Sequence, residues 1–212
     1  MPDALAAALR AALPQGVALG VAGDGPLWPG ETLPGAVPQR LTEFAQGRSA
    51  ARAAMQSLGH PAQAIPISPD RAPQWPDGLT GSISHCKGAC FAIVGARAVW
   101  AGLGLDIEPR IPVSPDLWPT ILRPEEIVAL PAADAGRVAL LIFTAKEAVY
   151  KAQYALTATL FDFQTLAVSL EGHHFTATFA APVGPFAKGH RIPGRSLHAG
   201  GFAAAFCAIT AS

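Results

Sequence analysis

One stretch, Gly104-Leu105-Asp106-Ile107-Glu108, ends a predicted strand with two carboxylates separated by a single apolar residue. Because side chains alternate between the two faces of a strand, Asp106 and Glu108 share one face while Ile107 points into the core. Two carboxylates on one face repel each other unless a cation lies between them. A hard divalent ion such as Mg²⁺ suits this pair, and the alternative is a solvent-exposed strand end.

The residues around this stretch alternate between helix-like and strand-like patterns. Apolar residues that recur every three or four positions predict helices, whereas short continuous apolar runs predict buried strands. A Gly-Ser turn is predicted at 81–85, and the glycine- and proline-rich residues 184–200 give no firm motif. The predicted helices cover about 38–58 and 136–155, with shorter ones at the N-terminus and near residue 124, and the predicted strands cover about 89–94, 99–107, 166–170, 175–179 and 202–209.

The sequence carries a faint internal repeat. Residues 85–93 resemble residues 198–209 when a gap is allowed, and each half places a long helix before its strands. This pattern predicts an α+β fold of two similar halves joined by a proline-rich linker, with units over 1–110 and 111–212. Chance similarity in an alanine-rich chain is the alternative.

The composition narrows the classes of protein that this chain can represent. It has 212 residues and zero formal net charge, which gives no bulk reason to expect nucleic acid or an anionic membrane as a partner. Its three cysteines fit a reducing cytoplasm, and Cys86 and Cys90 lack the further ligands of a zinc site. No signal-peptide pattern or apolar run of about 20 residues is present, so we expect a cytoplasmic protein without a membrane span.

The helix predicted over 136–155 carries an isolated group of charges. Glu147 and Lys151 are four residues apart and share one helix face, with Lys146 beside them. An ordinary surface ion pair is the alternative for this spacing. These are the only charges between Val138 and Leu160, however, and charges kept in an otherwise apolar helix indicate a lined cleft.

The first long helix carries a group of arginines. Arg40, Arg48 and Arg52 lie at about 0°, 80° and 120° on a helical wheel, so they share one side. Guanidinium groups bind phosphate through two parallel hydrogen bonds, and a solvated helix face is the alternative.

The Gly-Ser turn offers Ser84 and His85 as further phosphate contacts. These two adjacent residues face opposite ways on a strand, which argues against a Ser-His nucleophilic pair.

Taken in order, these segments resemble the Sfp-type 4′-phosphopantetheinyl transferases, and most closely the enterobactin synthase component D branch. The Asp-x-Glu pair followed about 40 residues later by Lys-Glu-x3-Lys is the specific part of the resemblance. The matching segments are Leu13-Pro14, Arg40-x7-Arg48 with Ala50-Ala51-Arg52 and Leu58-Gly59, Ala72-Pro73-x-Trp75-Pro76-x-Gly78, Gly81-Ser82-Ile83-Ser84-His85, Gly104-Leu105-Asp106-Ile107-Glu108, Phe143-x-Ala145-Lys146-Glu147-x3-Lys151 and Phe161-Asp162-Phe163.

The resemblance implies a fold of two pseudo-symmetric α/β subdomains with the active site between them. It also implies roles for individual residues. The metal ligands would be Asp106, Glu108 and Glu147, holding Mg²⁺, with Mn²⁺ as the alternative; the coenzyme A site would use Arg40, Arg48, Arg71, Ala72, Pro73, Ser84, His85, Lys146 and Lys151; and the catalytic residues would be Glu147, Lys151 and His85.

The activity implied by the resemblance is transfer of 4′-phosphopantetheine from coenzyme A to a serine of an apo acyl, aryl or peptidyl carrier protein, with release of 3′,5′-ADP. Siderophore, nonribosomal peptide and polyketide synthesis are the expected settings, and a monomer is expected. A Mg²⁺-dependent phosphohydrolase and a non-catalytic coenzyme A or carrier-binding module are the alternatives. One departure is Asp70, where some relatives place a lysine near the nucleotide.

Overall fold

The computed structural model describes residues 2–211 and has the predicted α+β architecture. The two long predicted helices are present with bounds within two residues of those expected. The helices are α1 (Pro2–Ala12), α2 (Pro38–Ser57), α3 (Trp118–Ile121), α4 (Pro124–Val128) and α5 (Ala135–Thr157), and the strands are β1 (Val17–Val21), β2 (Leu79–Cys86), β3 (Ala89–Ala96), β4 (Trp100–Pro109), β5 (Leu166–Glu171), β6 (His174–Phe179), β7 (Arg191–Ala199) and β8 (Phe202–Thr210).

The strands form two antiparallel sheets. The smaller sheet has the order β1-β3-β2 and the larger one the order β4-β8-β7-β6-β5. Strand β4, which carries Asp106 and Glu108, therefore pairs with β8 from the end of the chain. The boundary predicted at residue 110 assigns β4 to the first unit, although β4 pairs with β8 of the second unit in the larger sheet. The division into two units stays a prediction.

Two serine hydroxyls join the sheets where β2 lies beside β4. Ser82 Oγ accepts a hydrogen bond from the Leu105 amide at 3.0 Å, and Ser84 Oγ accepts one from the Ile107 amide at 3.1 Å. All four residues are buried, so these side chains satisfy amides that would otherwise be unpaired. The contact brings the α2 half of the molecule against the strand of carboxylates.

Each long helix lies unusually close to one strand at a glycine. A Cβ atom on Gly20 of β1 would come within 1.9 Å of the Ala50 carbonyl oxygen of α2. A Cβ atom on Gly104 of β4 would come within 1.8 Å of the Ala148 carbonyl oxygen of α5. No larger residue fits at either position without moving the helix.

The structure corrects the turn predicted at 81–85. These residues lie inside β2, and the chain turns instead at Lys87 and Gly88 before it continues as β3. Glycine and serine are uncommon in strands, but Gly81 leaves room for the Trp75 ring, whose nearest atoms would be 2.7 Å from a Cβ. The serines are used in the contact with β4.

Strand β7 was not predicted, because Pro193 and Gly194 obscure its pattern. Pro193 lies where β7 pairs with β6 alone, since the pairing with β8 begins at Gly194. A Cβ on Gly194 would come within 2.1 Å of the Phe175 ring, so the glycine makes space for an aromatic core residue. Within residues 2–211, no helix is both long and apolar enough to cross a membrane.

We predict that Gly104→Ala will lower the free energy of unfolding by about 3 kcal/mol, because the new methyl group overlaps the backbone of α5. Chemical denaturation monitored by circular dichroism measures this change. Gly23→Ala is the control, since its Cβ would meet nothing closer than 3.7 Å. Equal stability of the two variants would contradict the close approach of α5 to β4.

Candidate active site

A cleft of about 840 Å³ opens between α2, β2, β4 and α5. It brings together most of the residues that the sequence singled out, from both halves of the chain. Its walls include Arg40, Arg48, Arg71, Ala72, Pro73, Ser84, His85, Asp106, Glu108 and Lys151.

Asp106 lies at the base of this cleft and is almost fully buried. Its Oδ1 atom accepts hydrogen bonds from Lys151 Nζ at 2.6 Å and from Ser84 Oγ at 3.2 Å. Lys151 also donates to the Leu105 carbonyl at 3.2 Å. The Asp106 Oδ2 atom is buried and has no hydrogen-bond partner among residues 2–211. An unsatisfied carboxylate oxygen is costly, and a bound cation would satisfy it.

Two further carboxylates, Glu108 and Glu147, interact electrostatically with Asp106. Burial, and then the charge of Asp106, raises the pKa of Glu108 to about 7. Burial also raises the pKa of Glu147, while Lys151 opposes this shift. Carboxylates that disfavour each other's charge in this way have the chemistry of a Mg²⁺ site.

The three carboxylates do not converge on one point as they stand. Among the described residues, no three His, Cys, Asp or Glu side chains are arranged to hold one metal ion. Glu147 lines a separate pocket of about 170 Å³ with Phe161 and Phe163. The orphaned Asp106 oxygen and the donor set fit a divalent cation, and the assignment of the three ligands stays a prediction.

Arg40 and His85 meet at the mouth of the cleft around a third residue, Glu43. The Glu43 Oε2 atom lies 3.1 Å from both Arg40 Nη1 and His85 Nε2, and those two nitrogens are 3.0 Å apart. Hydrogen bonds from His85 and Arg40 lower the pKa of Glu43. Sequence reasoning missed Glu43, because it searched this helix for positive charge alone.

Arg48 is buried beside the cleft and is held by main-chain oxygens. Its Nε atom donates to the Ile65 carbonyl at 3.0 Å, and its guanidinium lies 3.9 Å from the centre of the Phe44 ring. Burial lowers the pKa of Arg48 to about 10. Arg52, predicted on the same helix side, is instead bound by Glu31 and does not line the cleft.

Lys146 does not line the large cleft but the smaller pocket that also contains Glu147. Its ammonium donates to Glu126 Oε2 at 2.7 Å, to the Ile121 carbonyl at 2.9 Å and to the Phe163 carbonyl at 3.0 Å. An ammonium has three donors, and all three are used inside the protein. These contacts give Lys146 a structural role, and its part in coenzyme A binding stays a prediction.

Asp70 joins the two halves across the cleft. The Tyr154 hydroxyl on α5 donates to Asp70 Oδ2 at 2.7 Å, and the Ala72 amide donates to Asp70 Oδ1 at 3.2 Å. The next residue, Arg71, adopts φ 71°, a left-handed backbone conformation that is uncommon outside glycine. An aspartate at this position therefore fixes the loop that presents Arg71, Ala72 and Pro73.

A cleft that combines buried carboxylates, lysine and arginines is typical of enzymes that act on phosphorylated compounds. Two family models match the chain. Residues 29–95 match the 4′-phosphopantetheinyl transferase N-terminal domain, and residues 102–207 match the 4′-phosphopantetheinyl transferase superfamily. Because these ranges take in most of the chain, it belongs to the 4′-phosphopantetheinyl transferase superfamily, as the sequence motifs indicated.

Curated relatives carry the same family name. The chain is 42% identical over 167 residues to 4′-phosphopantetheinyl transferase Svp of Streptomyces mobaraensis, covering 75% of this chain and 67% of the relative. It is 34% identical to 4′-phosphopantetheinyl transferase PptT of Mycobacterium tuberculosis, covering 64% and 60%, and 40% identical to enterobactin synthase component D of Salmonella typhi, covering 54% and 48%. The chain thus spans about half to two thirds of the length of these relatives.

Glu108 predicts a pH dependence of stability in the metal-free protein. Its pKa rises from 4.5 to about 7 on folding, so the folded state binds more protons than the unfolded state between these values. The free energy of unfolding therefore falls as the pH rises from about 4.5 to about 7. In Glu108→Gln this fall will be smaller, as measured by urea unfolding in EDTA at about pH 5 and pH 8. Glu125→Gln is the control and will not diminish the fall, because the Glu125 pKa is lowered and this carboxyl titrates below the tested range. An undiminished fall in Glu108→Gln would refute the shift.

The buried pair of Lys146 and Glu126 predicts a large loss of stability in Lys146→Met. The substitution leaves an uncompensated carboxylate inside the protein, which costs about 3–5 kcal/mol. Arg137→Met is the control and will lose less, because the side chains of Arg137 and its partner Asp134 are 53% and 51% exposed, whereas those of Lys146 and Glu126 are 1% and 4% exposed. Urea unfolding of both variants tests this difference, and an equal or larger loss in Arg137→Met would contradict the effect of the buried pair.

Proposed function

We propose that the chain transfers 4′-phosphopantetheine from coenzyme A to a serine hydroxyl of an apo carrier protein and releases 3′,5′-ADP. The buried contact of Asp106 with Lys151 and Ser84 carries this proposal, since it places a cation beside a carboxylate with an oxygen still free. The relatives named as 4′-phosphopantetheinyl transferases support it.

In this reaction the serine oxygen forms a bond to the phosphorus that carries pantetheine. The bond between that phosphorus and the oxygen leaving with 3′,5′-ADP breaks, and the serine proton passes to a base. Positioning and charge neutralisation contribute most to such a transfer. A bound Mg²⁺, or Mn²⁺ in its place, would neutralise charge on the pyrophosphate, and Asp106, Glu108 and Glu147 would hold it.

Residues in the cleft and in the pocket beside it suit the remaining tasks. We assign Glu147 as the base, because burial raises its pKa towards the range in which a carboxylate accepts a proton readily. The Lys151 ammonium would stabilise negative charge on the departing phosphate. Ser84 and His85 would contact the phosphates, His85 supporting catalysis by donating to them. Arg40 and Arg48 would bind the 3′-phosphate end.

The finer points are part of this proposal. The loop of Arg71, Ala72 and Pro73 would lie along the adenine, because these residues form one wall of the cleft. The carriers would be peptidyl, aryl or acyl carrier domains of siderophore or related synthesis, as the name enterobactin synthase component D suggests for that relative. A cytoplasmic monomer with units over 1–110 and 111–212 completes the proposal. The phosphohydrolase alternative finds no support among these relatives.

The deciding experiment incubates the protein with coenzyme A, Mg²⁺ and several apo carrier proteins and measures carrier mass. We expect a gain of one phosphopantetheine group, lost in EDTA and restored by Mg²⁺ or Mn²⁺. Asp106→Asn will lower the rate at least about 100-fold, because it removes charge from the buried centre. Asp134→Asn, which alters an exposed ion pair with Arg137, is the control and will keep the rate.

Two results would overturn the proposal. The first is an unchanged mass on every carrier, and the second is release of phosphate from simple esters without any transfer to a carrier.

A further inference from the structure

A buried carboxylate behind the cleft, Glu31, holds the first half of the molecule together. Its side chain has no exposed surface. The Oε1 atom accepts from Arg52 Nη1 at 2.7 Å and from the Ile65 amide at 2.9 Å. The Oε2 atom accepts from Arg52 Nη1 at 2.6 Å and from the Trp28 amide at 2.8 Å. Both oxygens are therefore held by charge-assisted hydrogen bonds.

Arg52 is committed to this arrangement. Its Nη2 atom donates to the Pro26 carbonyl at 3.0 Å, and its guanidinium lies 4.5 Å from the centre of the Trp28 ring. A buried ion pair is weak evidence for stability by itself, because desolvation offsets much of its Coulomb energy. The effect of the pair on the neighbouring main chain is more informative than its contribution to stability.

Ile65 connects Glu31 with the cleft. Glu31 fixes the Ile65 amide, and the Ile65 carbonyl accepts from Arg48 Nε at 3.0 Å. The Arg48 Nη2 atom points to the next carbonyl, that of Pro66, at 3.5 Å. Within residues 2–211 the Nη1 atom makes no hydrogen bond, and Arg48 lines the cleft. Ile65 thus sets the direction of the guanidinium.

Ile65 also leads into the segment that forms one wall of the cleft. After Ile65 the chain folds back on itself, with the Gln74 amide donating to the Pro66 carbonyl and the Ser68 amide donating to the Ala72 carbonyl, each at 2.9 Å. Residues 68 and 70–75 line the cleft. A shift at Ile65 would therefore move both Arg48 and this wall.

We propose that Glu31 is a positioning residue for recognition of the 3′-phosphate of coenzyme A. It fixes Ile65, which orients Arg48 so that Nη1 is left to bind the phosphate. This inference rests on the proposed function and extends it to a residue outside the cleft. Its consequence is selectivity, because a misdirected guanidinium loses coenzyme A but not 3′-dephospho-coenzyme A.

The test compares KM for coenzyme A and for 3′-dephospho-coenzyme A in the same carrier-labelling assay. In Glu31→Gln an amide replaces one oxygen and opposes an N–H donor, so we expect KM for coenzyme A to rise about tenfold and KM for the dephosphorylated compound to change less than about twofold. The turnover number kcat will stay within about threefold. Arg52→Lys keeps the positive charge but loses the planar guanidinium, so it will shift the ratio of the two KM values in the same direction. This variant replaces Glu31→Gln in the test if Glu31→Gln does not fold.

Glu126→Gln is the matched control, because Glu126 in the other half is also a buried carboxylate bound to a cation and to two main-chain amides. It will lower stability in urea without changing the KM ratio. An unchanged ratio in folded Glu31→Gln and Arg52→Lys, an equal change in Glu126→Gln, or a wild-type protein that uses both compounds equally would each overturn the inference. Absence of carrier labelling by the wild type would instead overturn the proposed function.

Discussion

The hydroxyl groups of Ser82 and Ser84 hold the two sheets side by side, and the candidate active site lies on this contact. Each accepts a hydrogen bond from an amide of β4, so β2 and β4 remain in register although they belong to different sheets. Ser84 also donates to Asp106, and Lys151 approaches both of them. Ser84, one of the two residues that join the sheets, is therefore also one that the proposed function assigns to the phosphates.

The sequence predicted the long helices, whose apolar residues repeat with a clear period, and most strands, which form short continuous apolar runs. It also predicted the carboxylate pair on β4, and the resemblance placed this pair and Lys151 in one active site. It could not show that 81–85 is a strand, because glycine and serine there are selected by contacts with Trp75 and β4. Those contacts come from residues distant in the chain.

The partners of Lys146 and Arg52 could not be read from the sequence. A helical wheel shows which charges share a side, but it does not show which residues pack opposite them. In each half a glutamate some 20 residues upstream supplies the partner: Glu31 for Arg52 and Glu126 for Lys146. Each glutamate also accepts from the amide three residues before it and from the amide of a later segment. This repeated arrangement is stronger evidence of two related halves than the sequence repeat.

The close approach at Gly104 determines a distance as well as a fold. Gly104 lies two residues before Asp106, and the Ala148 carbonyl that it accommodates lies three residues before Lys151. The separation of α5 from β4 therefore sets the 2.6 Å contact between ammonium and carboxylate. With a longer separation Lys151 would not reach Asp106. The absence of a side chain at Gly104 therefore determines how closely these two charges approach each other in the cleft.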